Sequence, residues 1–181
     1  IIGYSDTLLH VKISEEQQKK ALEHINSECR RLERLSGKMM TLIGLYDEDR
    51  IHKEPYPVDR LVREVADLER YHMQDSQMEL LAFSESWECE MDVDLMESLL
   101  VNLLDNAIKA SKPGSVIELH GEKGCIWVRD FGKGIPEEEI PRITEAFYMV
   151  DKSRSRKAGG IGMGLALCQK IAEIHRANLV I

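Results

Sequence analysis

Apolar residues recur along the chain with two periods, and their order predicts the elements. From Glu15 to about Asp49 there is no proline, and Leu22, Ile25, Cys29, Leu32, Ser36, Met39, Ile43 and Tyr46 follow a 4-3 heptad rhythm that only Ser36 interrupts. A helix of ~35 residues is about 50 Å long at 1.5 Å per residue, more than a small domain covers. It must pack against other helices. Ser14 with Gln17 fits a capping box at its start. Before it, Ile1-Ile2-Gly3-Tyr4 and Leu8-Leu9 read as the end of an earlier helix that starts before residue 1, as in a fragment of a longer chain.

The pattern then changes. Residues 51 to 58, IHKEPYPV, hold two of the five prolines and read as a linker. Leu61, Val62, Val65 and Leu68 predict a helix of about four turns. Met78 to Phe83 and Trp87 to Met91 read as strands, and Leu95, Leu99, Leu103 and Ala107 recur at helical spacing. Val116 to His120 and Gly124 to Val128 predict a hairpin. An apolar helix opens at Leu165, and Leu179-Val180-Ile181 begins another strand. Helices on one face of a mixed sheet make an α+β protein, a two-layer α/β sandwich.

Three polar or glycine-rich islands interrupt this pattern. The first is the helix Glu97 to Ser111, where Asn102, Asn106 and Lys109 fall at i, i+4 and i+7. Taken alone it reads first as an amphipathic helix with Asn and Lys on its wet side. The other reading is a hydrated magnesium ion, which takes neutral carboxamide oxygens when phosphates already balance its charge. Lys109 would then reach a phosphate oxygen. The second island, Trp127 to Pro136, runs from a strand into Asp130-Phe131-Gly132-Lys133-Gly134. An ionised Asp accepts hydrogen bonds only, and the exocyclic amine of adenine donates them; a turn capped by Asp130 is the alternative. In the third, Gly159, Gly160, Gly162 and Gly164 lead straight into Leu165 and an apolar helix, presenting free N–H groups and a positive dipole end to phosphates. The alternative is a flexible linker, but linkers do not usually lead into Leu-Ala-Leu.

Other phosphate motifs do not fit. Leu165 stands where a dinucleotide fingerprint needs its last glycine, and no P-loop pattern occurs. The DFG at Asp130 lacks a preceding catalytic loop of the protein-kinase type.

Composition narrows the classes. With 181 residues, 43% hydrophobic, the chain can bury a core as one domain with an appendage. A net charge of −8 argues against nucleic acid, whose phosphates need clustered Lys and Arg. Cys29, Cys89, Cys125 and Cys168 lie far apart without C-x-x-C, so no zinc site or disulfide framework is indicated. No apolar run has the length of a membrane span.

NLLDNAIKAS, RDFGKGIP and GGIGMGLAL, in that order and at those separations, resemble the asparagine box, first glycine box and second glycine box of the Bergerat-type ATP-binding domain of sensor histidine kinases. The resemblance implies a catalytic domain over 53–181, with its last strands incomplete, that uses ATP and Mg2+. It implies that Asn106 holds magnesium with Asn102 supporting it, that Lys109 steadies phosphate, and that Asp130 reads adenine. It extends nucleotide contacts to Gly132, Gly134, Ile135, Gly160, Gly162, Met163, Gly164 and Leu165. The polar stretch 137 to 160 is similar to the family's lid, which places Phe147 and Arg154 at the nucleotide. Residues 1–52 resemble part of the dimerisation and phosphotransfer hairpin, which forms a four-helix bundle in a homodimer. The phosphoacceptor histidine would lie upstream of Ile1.

The further implications are phosphoryl transfer to that histidine and then to an Asp of a response regulator receiver domain. The chain would be the cytoplasmic portion of a membrane-anchored bacterial sensor. His10 is followed by Val11-Lys12 and His24 by Ile25-Asn26, so neither has an acid after it and both read as surface residues, and His175 reads as a packing or capping residue. The chain departs from the family pattern F-x-R-F-Y-R at Thr144, Ala146 and Met149. Loss of an arginine at Met149 implies slower phosphotransfer with nucleotide binding kept. Bergerat-fold ATPases and serine kinases share the boxes, against which the long heptad helix speaks; a nucleotide-binding or dimerisation module without catalysis is the remaining alternative.

Overall fold

A computed structural model describes residues 1–45, 51–150 and 162–181. Its residues divide into two compact units, Ile1–Thr41 and Leu42–Ile181.

The first unit holds α1 (Ile2–His10) and most of α2 (Glu15–Gly44). The capping box forms as expected: Gln17 N–H donates to Ser14 Oγ at 3.3 Å, and Ser14 N–H donates to Gln17 Oε1 at 3.1 Å. Among the described residues most of the heptad stripe is uncovered, with Ile25 half-buried. Leu22, Cys29, Leu32, Met39 and Ile43 are exposed. Tyr46 lies outside the described residues.

The second unit is built on α4 (Val93–Ala110), which packs against the sheet and two other helices. Its start is set by Asp92, whose Oδ1 accepts the Leu95 N–H at 3.1 Å. The other carboxylate oxygen accepts the His52 N–H at 3.0 Å. Leu99, Leu100, Leu104 and Ala107 are buried, each large side chain contributing about 1.5–3 kcal/mol. Leu103, expected on the apolar face, is only partly buried; Leu100 and Leu104 take the deepest places.

The predicted strands form β2 (Glu79–Ser84), β3 (Glu88–Met91), β4 (Val116–Glu122) and β5 (Cys125–Asp130). β2 pairs parallel to β4, and β4 pairs antiparallel to β5, giving the mixed sheet β2-β4-β5. Ile117 and Leu119 of β4 alternate into the core. The sandwich has its helices against this sheet, as the periodicity predicts.

Leu179-Val180-Ile181, expected to begin a strand, forms none, and two further expectations need correction. Residues 51–58 are not all linker: β1 (Glu54–Pro57) pairs antiparallel with β3, with Pro55 opposite Glu90 and Pro57 opposite Glu88. A two-stranded ribbon leaves each strand one open edge, where the missing N–H of a proline costs no ladder bond. In α3 (Val58–Asp75) Leu68 is 55% exposed. The buried stripe instead runs through Val58, Leu61, Val62, Val65, Glu69 and Met73, because steps of four after Val65 follow the helix face more closely than a step of three.

α5 (Gly164–Ile174) packs on α4, its Cys168 Sγ 3.6 Å from the Leu99 carbonyl oxygen. His175 closes its end as a capping residue. Its Nδ1 donates to Ile171 O at 2.8 Å, and its Nε2 accepts the Asp92 N–H at 3.0 Å. All four cysteines are free thiols. Among the described residues no helix is long and apolar enough to cross a membrane.

β1 and α3 are tied by a charged bond. The Tyr56 hydroxyl donates to Glu64 Oε2 at 2.6 Å, and Arg60 Nε donates to Oε1 at 2.9 Å. The tyrosine bond first, then the arginine, hold the Glu64 carboxyl below its ordinary value against the opposing effect of burial. A lowered folded value means the stabilisation is full above the ordinary carboxylate range and is lost as pH falls through the lowered value. Glu64→Gln is expected to melt slightly below the native chain at neutral pH, with the gap closing in acid. Thermal melts across that range check this, and a gap independent of pH contradicts it.

Candidate functional site

The C-terminal half of α4 carries the first island. Asn102 is buried, and its Nδ2 donates to the Ser98 carbonyl one turn back at 2.7 Å. Asn106 is half-buried and its Nδ2 is buried with no hydrogen-bond partner among the described residues. Leaving a buried amide unsatisfied costs about 1–3 kcal/mol. The carboxamide's two ends are exchangeable by a half-turn, so the same position can offer a donor to phosphate or an oxygen to a cation. This donor set fits a magnesium-bound nucleotide: a neutral oxygen ligand beside a second buried carboxamide. Lys109 pairs with Asp105 one turn back on the surface.

The second island closes against the end of this helix. Asp130 ends β5, and its Oδ1 accepts the Gly132 N–H at 2.8 Å. The two readings of Asp130 are compatible, because one oxygen caps the turn while the other can accept from a ligand. A Cβ at Gly132 would stand 2.5 Å from Ala110 O and 2.7 Å from Asp130 Oδ1. Only glycine lets the turn lie this close to α4. Gly134 has φ +67°, and Ile135 is exposed.

The third island supplies the start of α5. Gly162 has φ +73°; Met163, the N-cap, is buried and gives no side-chain cap, and Gly164 opens the helix. Met163 thus leaves the first-turn N–H groups without a side-chain cap. Leu165 is half-buried. Gly160 and Arg154 lie outside the described residues.

The segment around Phe147 folds onto Gly162. Phe147, itself at φ +68° and exposed, donates its N–H to Gly162 O at 2.7 Å. A Cβ on Gly162 would meet Tyr148 O at 2.6 Å and Met149 Cγ at 3.1 Å. The Tyr148 hydroxyl is hydrogen-bonded to Glu139, which raises its pKa above the ordinary tyrosine value. Arg142 sits over the Tyr148 ring.

Packing of β5 and α5 on α4 therefore brings Asn102, Asn106, Asp130, Gly132 and the Gly162–Gly164 turn around one helix. Two features escape the sequence pattern. Ser111, closing α4, has a buried hydroxyl with no partner among the described residues, and the Glu139–Arg142–Tyr148 cluster joins side chains that no period links.

Residues 91–181 match the model of a family described as histidine kinase-, DNA gyrase B-, and HSP90-like ATPase. The chain belongs to this ATPase family. Among its relatives is the sensor protein SrrB of Staphylococcus aureus (strain NCTC 8325 / PS 47), 27% identical over 184 residues, spanning 98% of this chain. The chain spans 32% of that relative's length. The mycobacterial sensor histidine kinase MprB superposes with TM-score 0.58 at 25% identity, over 69% of this chain and 81% of that one. Histidine kinase ThkA, solved in complex with the response regulator protein TrrA, shares the fold at TM-score 0.69 and 22% identity, over 97% of this chain and 50% of that one. Within the ATPase family, the chain falls with the sensor histidine kinase catalytic domains.

Gly162→Ala is expected to lose about 1–3 kcal/mol, since an alanine there meets both a positive φ and the Tyr148 carbonyl. Denaturant unfolding measures it; native stability would remove the packing argument for this turn.

Proposed function

We propose that this chain binds Mg-ATP at the face of α4 and serves the transfer of its terminal phosphoryl group to a histidine upstream, then to an Asp of a response regulator. The observation that supports this reading is the orphaned Asn106 amide on the same helix against which the Asp130 turn and α5 pack. In this reading the second Asp130 oxygen accepts from the adenine amine, and the α5 N-terminus takes phosphate oxygens through Gly162 and Gly164. Asn106 holds the cation and Asn102 supports it. Lys109 exchanges Asp105 for phosphate, while Phe147 and Arg154 belong to the closing lid. Gly134, Ile135, Gly160, Met163 and Leu165 shape the walls. Bound magnesium supplies charge neutralisation and geometry between the phosphates. Positioning and electrostatics then carry the rate, because the protein has little covalent chemistry to do.

The uncovered heptad stripe of α2 suits a homodimer through the N-terminal helices, with residues 1–52 as part of a phosphotransfer hairpin and 53–181 as the catalytic domain. The same reading makes this the cytoplasmic portion of a membrane-anchored sensor. With Met149 uncharged, phosphotransfer is slow.

Two measurements test the proposal. Asn106→Asp is expected to weaken Mg-ATP binding by about tenfold or more, or to change metal preference, in calorimetry; unchanged affinity would sink the role of Asn106. A longer chain carrying upstream sequence, incubated with labelled ATP and magnesium, should take up acid-labile, base-stable phosphate. Acid-stable label would point instead to a serine kinase, and binding without label to an ATPase or a binding module.

A further inference from the structure

Among the described residues from Ile135 to Val150, Arg142 is the one cation, set among Glu137, Glu138, Glu139 and Glu145. It ends the short 3-10 turn Glu137–Arg142. Its guanidinium lies 4.2 Å from the centroid of the Tyr148 ring, and its Nε and Nη2 face the two Glu145 carboxylate oxygens at 3.4 and 3.5 Å. Tyr148 is held in turn by Glu139. Its neighbours Phe147 and Met149 lie against Gly162, two residues before α5 begins. Stacking on that ring therefore keeps the guanidinium on the segment bonded to the phosphate-facing turn.

The pairing with Glu145 is easily exchanged. Both side chains are more than half exposed, and such pairs contribute about 0–1 kcal/mol. The two oxygens also sit at the long end of the hydrogen-bond range, where a phosphate, with more charge, would bind the planar fork closer and more strongly. Tyr148 gives the fork a surface to pivot on while it changes partner. The neighbouring Met149 offers no charge.

We propose that Arg142 contacts the terminal phosphate of the bound nucleotide, releasing Glu145 to do so, and so distinguishes a nucleoside triphosphate from a diphosphate. The assignment rests on the nucleotide-binding reading above and adds a residue to it. Calorimetric titration of the 181-residue chain with ADP and with a non-hydrolysable ATP analogue, in magnesium, tests it. Arg142→Gln is expected to weaken the analogue about tenfold and ADP by less than about twofold, tenfold being about 1.4 kcal/mol. Glu145→Gln, which frees the fork, should shift analogue affinity the opposite way. Equal weakening of both nucleotides by Arg142→Gln, or none, overturns the assignment and leaves Arg142 a packing residue on Tyr148. A native chain that binds neither nucleotide overturns the nucleotide-binding reading itself, which keeps the two failures distinguishable.

Discussion

The second unit depends on α4 satisfying two demands along one helix. Leu100 and Leu104 are sealed in the core, while the same helix buries the Asn102 side chain and an Asn106 amide that has no partner among the described residues. Apolar burial here is worth several kcal/mol, and an unsatisfied amide costs a sizeable fraction of that. The helix therefore tolerates Asn106 only because its core face is so well filled. That imbalance is what the proposed nucleotide site rests on.

Asp92 and His175 keep this helix in place. One carboxylate caps α4 and accepts the His52 N–H, while the Asp92 N–H itself meets the ring of His175 at the end of α5. The start of the asparagine-bearing helix and the end of the glycine-box helix are thereby joined. Cys168 against the Leu99 carbonyl adds a second seam midway. A site assembled from helix faces and turns needs such fixation, because an error of an ångström in the supporting elements moves every donor at once.

Most of the fold was legible because its elements are locally strong. The periodicities of α2, α3 and α4, the hairpin β4–β5 and the Ser14–Gln17 box each depend on residues near in sequence. Leu68 and the Pro55–Pro57 strand were not legible, since a helix's buried face and an edge strand's partner are chosen by neighbours distant in the chain. The site divides in the same way. The asparagines, Asp130 and the glycines announced themselves by residue type. The buried Ser111 hydroxyl and the stacking of Arg142 on Tyr148 did not, because neither follows a period.

By itself, the amino-acid sequence determined which residue types can meet a nucleotide and the elements that carry them, through backbone chemistry: carboxamides on a helix, an acceptor-only Asp before glycines, and glycines before a helix start. The tertiary structure alone decided that these three islands share one helix as a common floor, that Gly132 lies against Ala110, and that the Asn106 amide has no partner among the described residues. The reason is that juxtaposition comes from packing of the sheet and two helices on α4, a property of long-range contacts that no local pattern encodes.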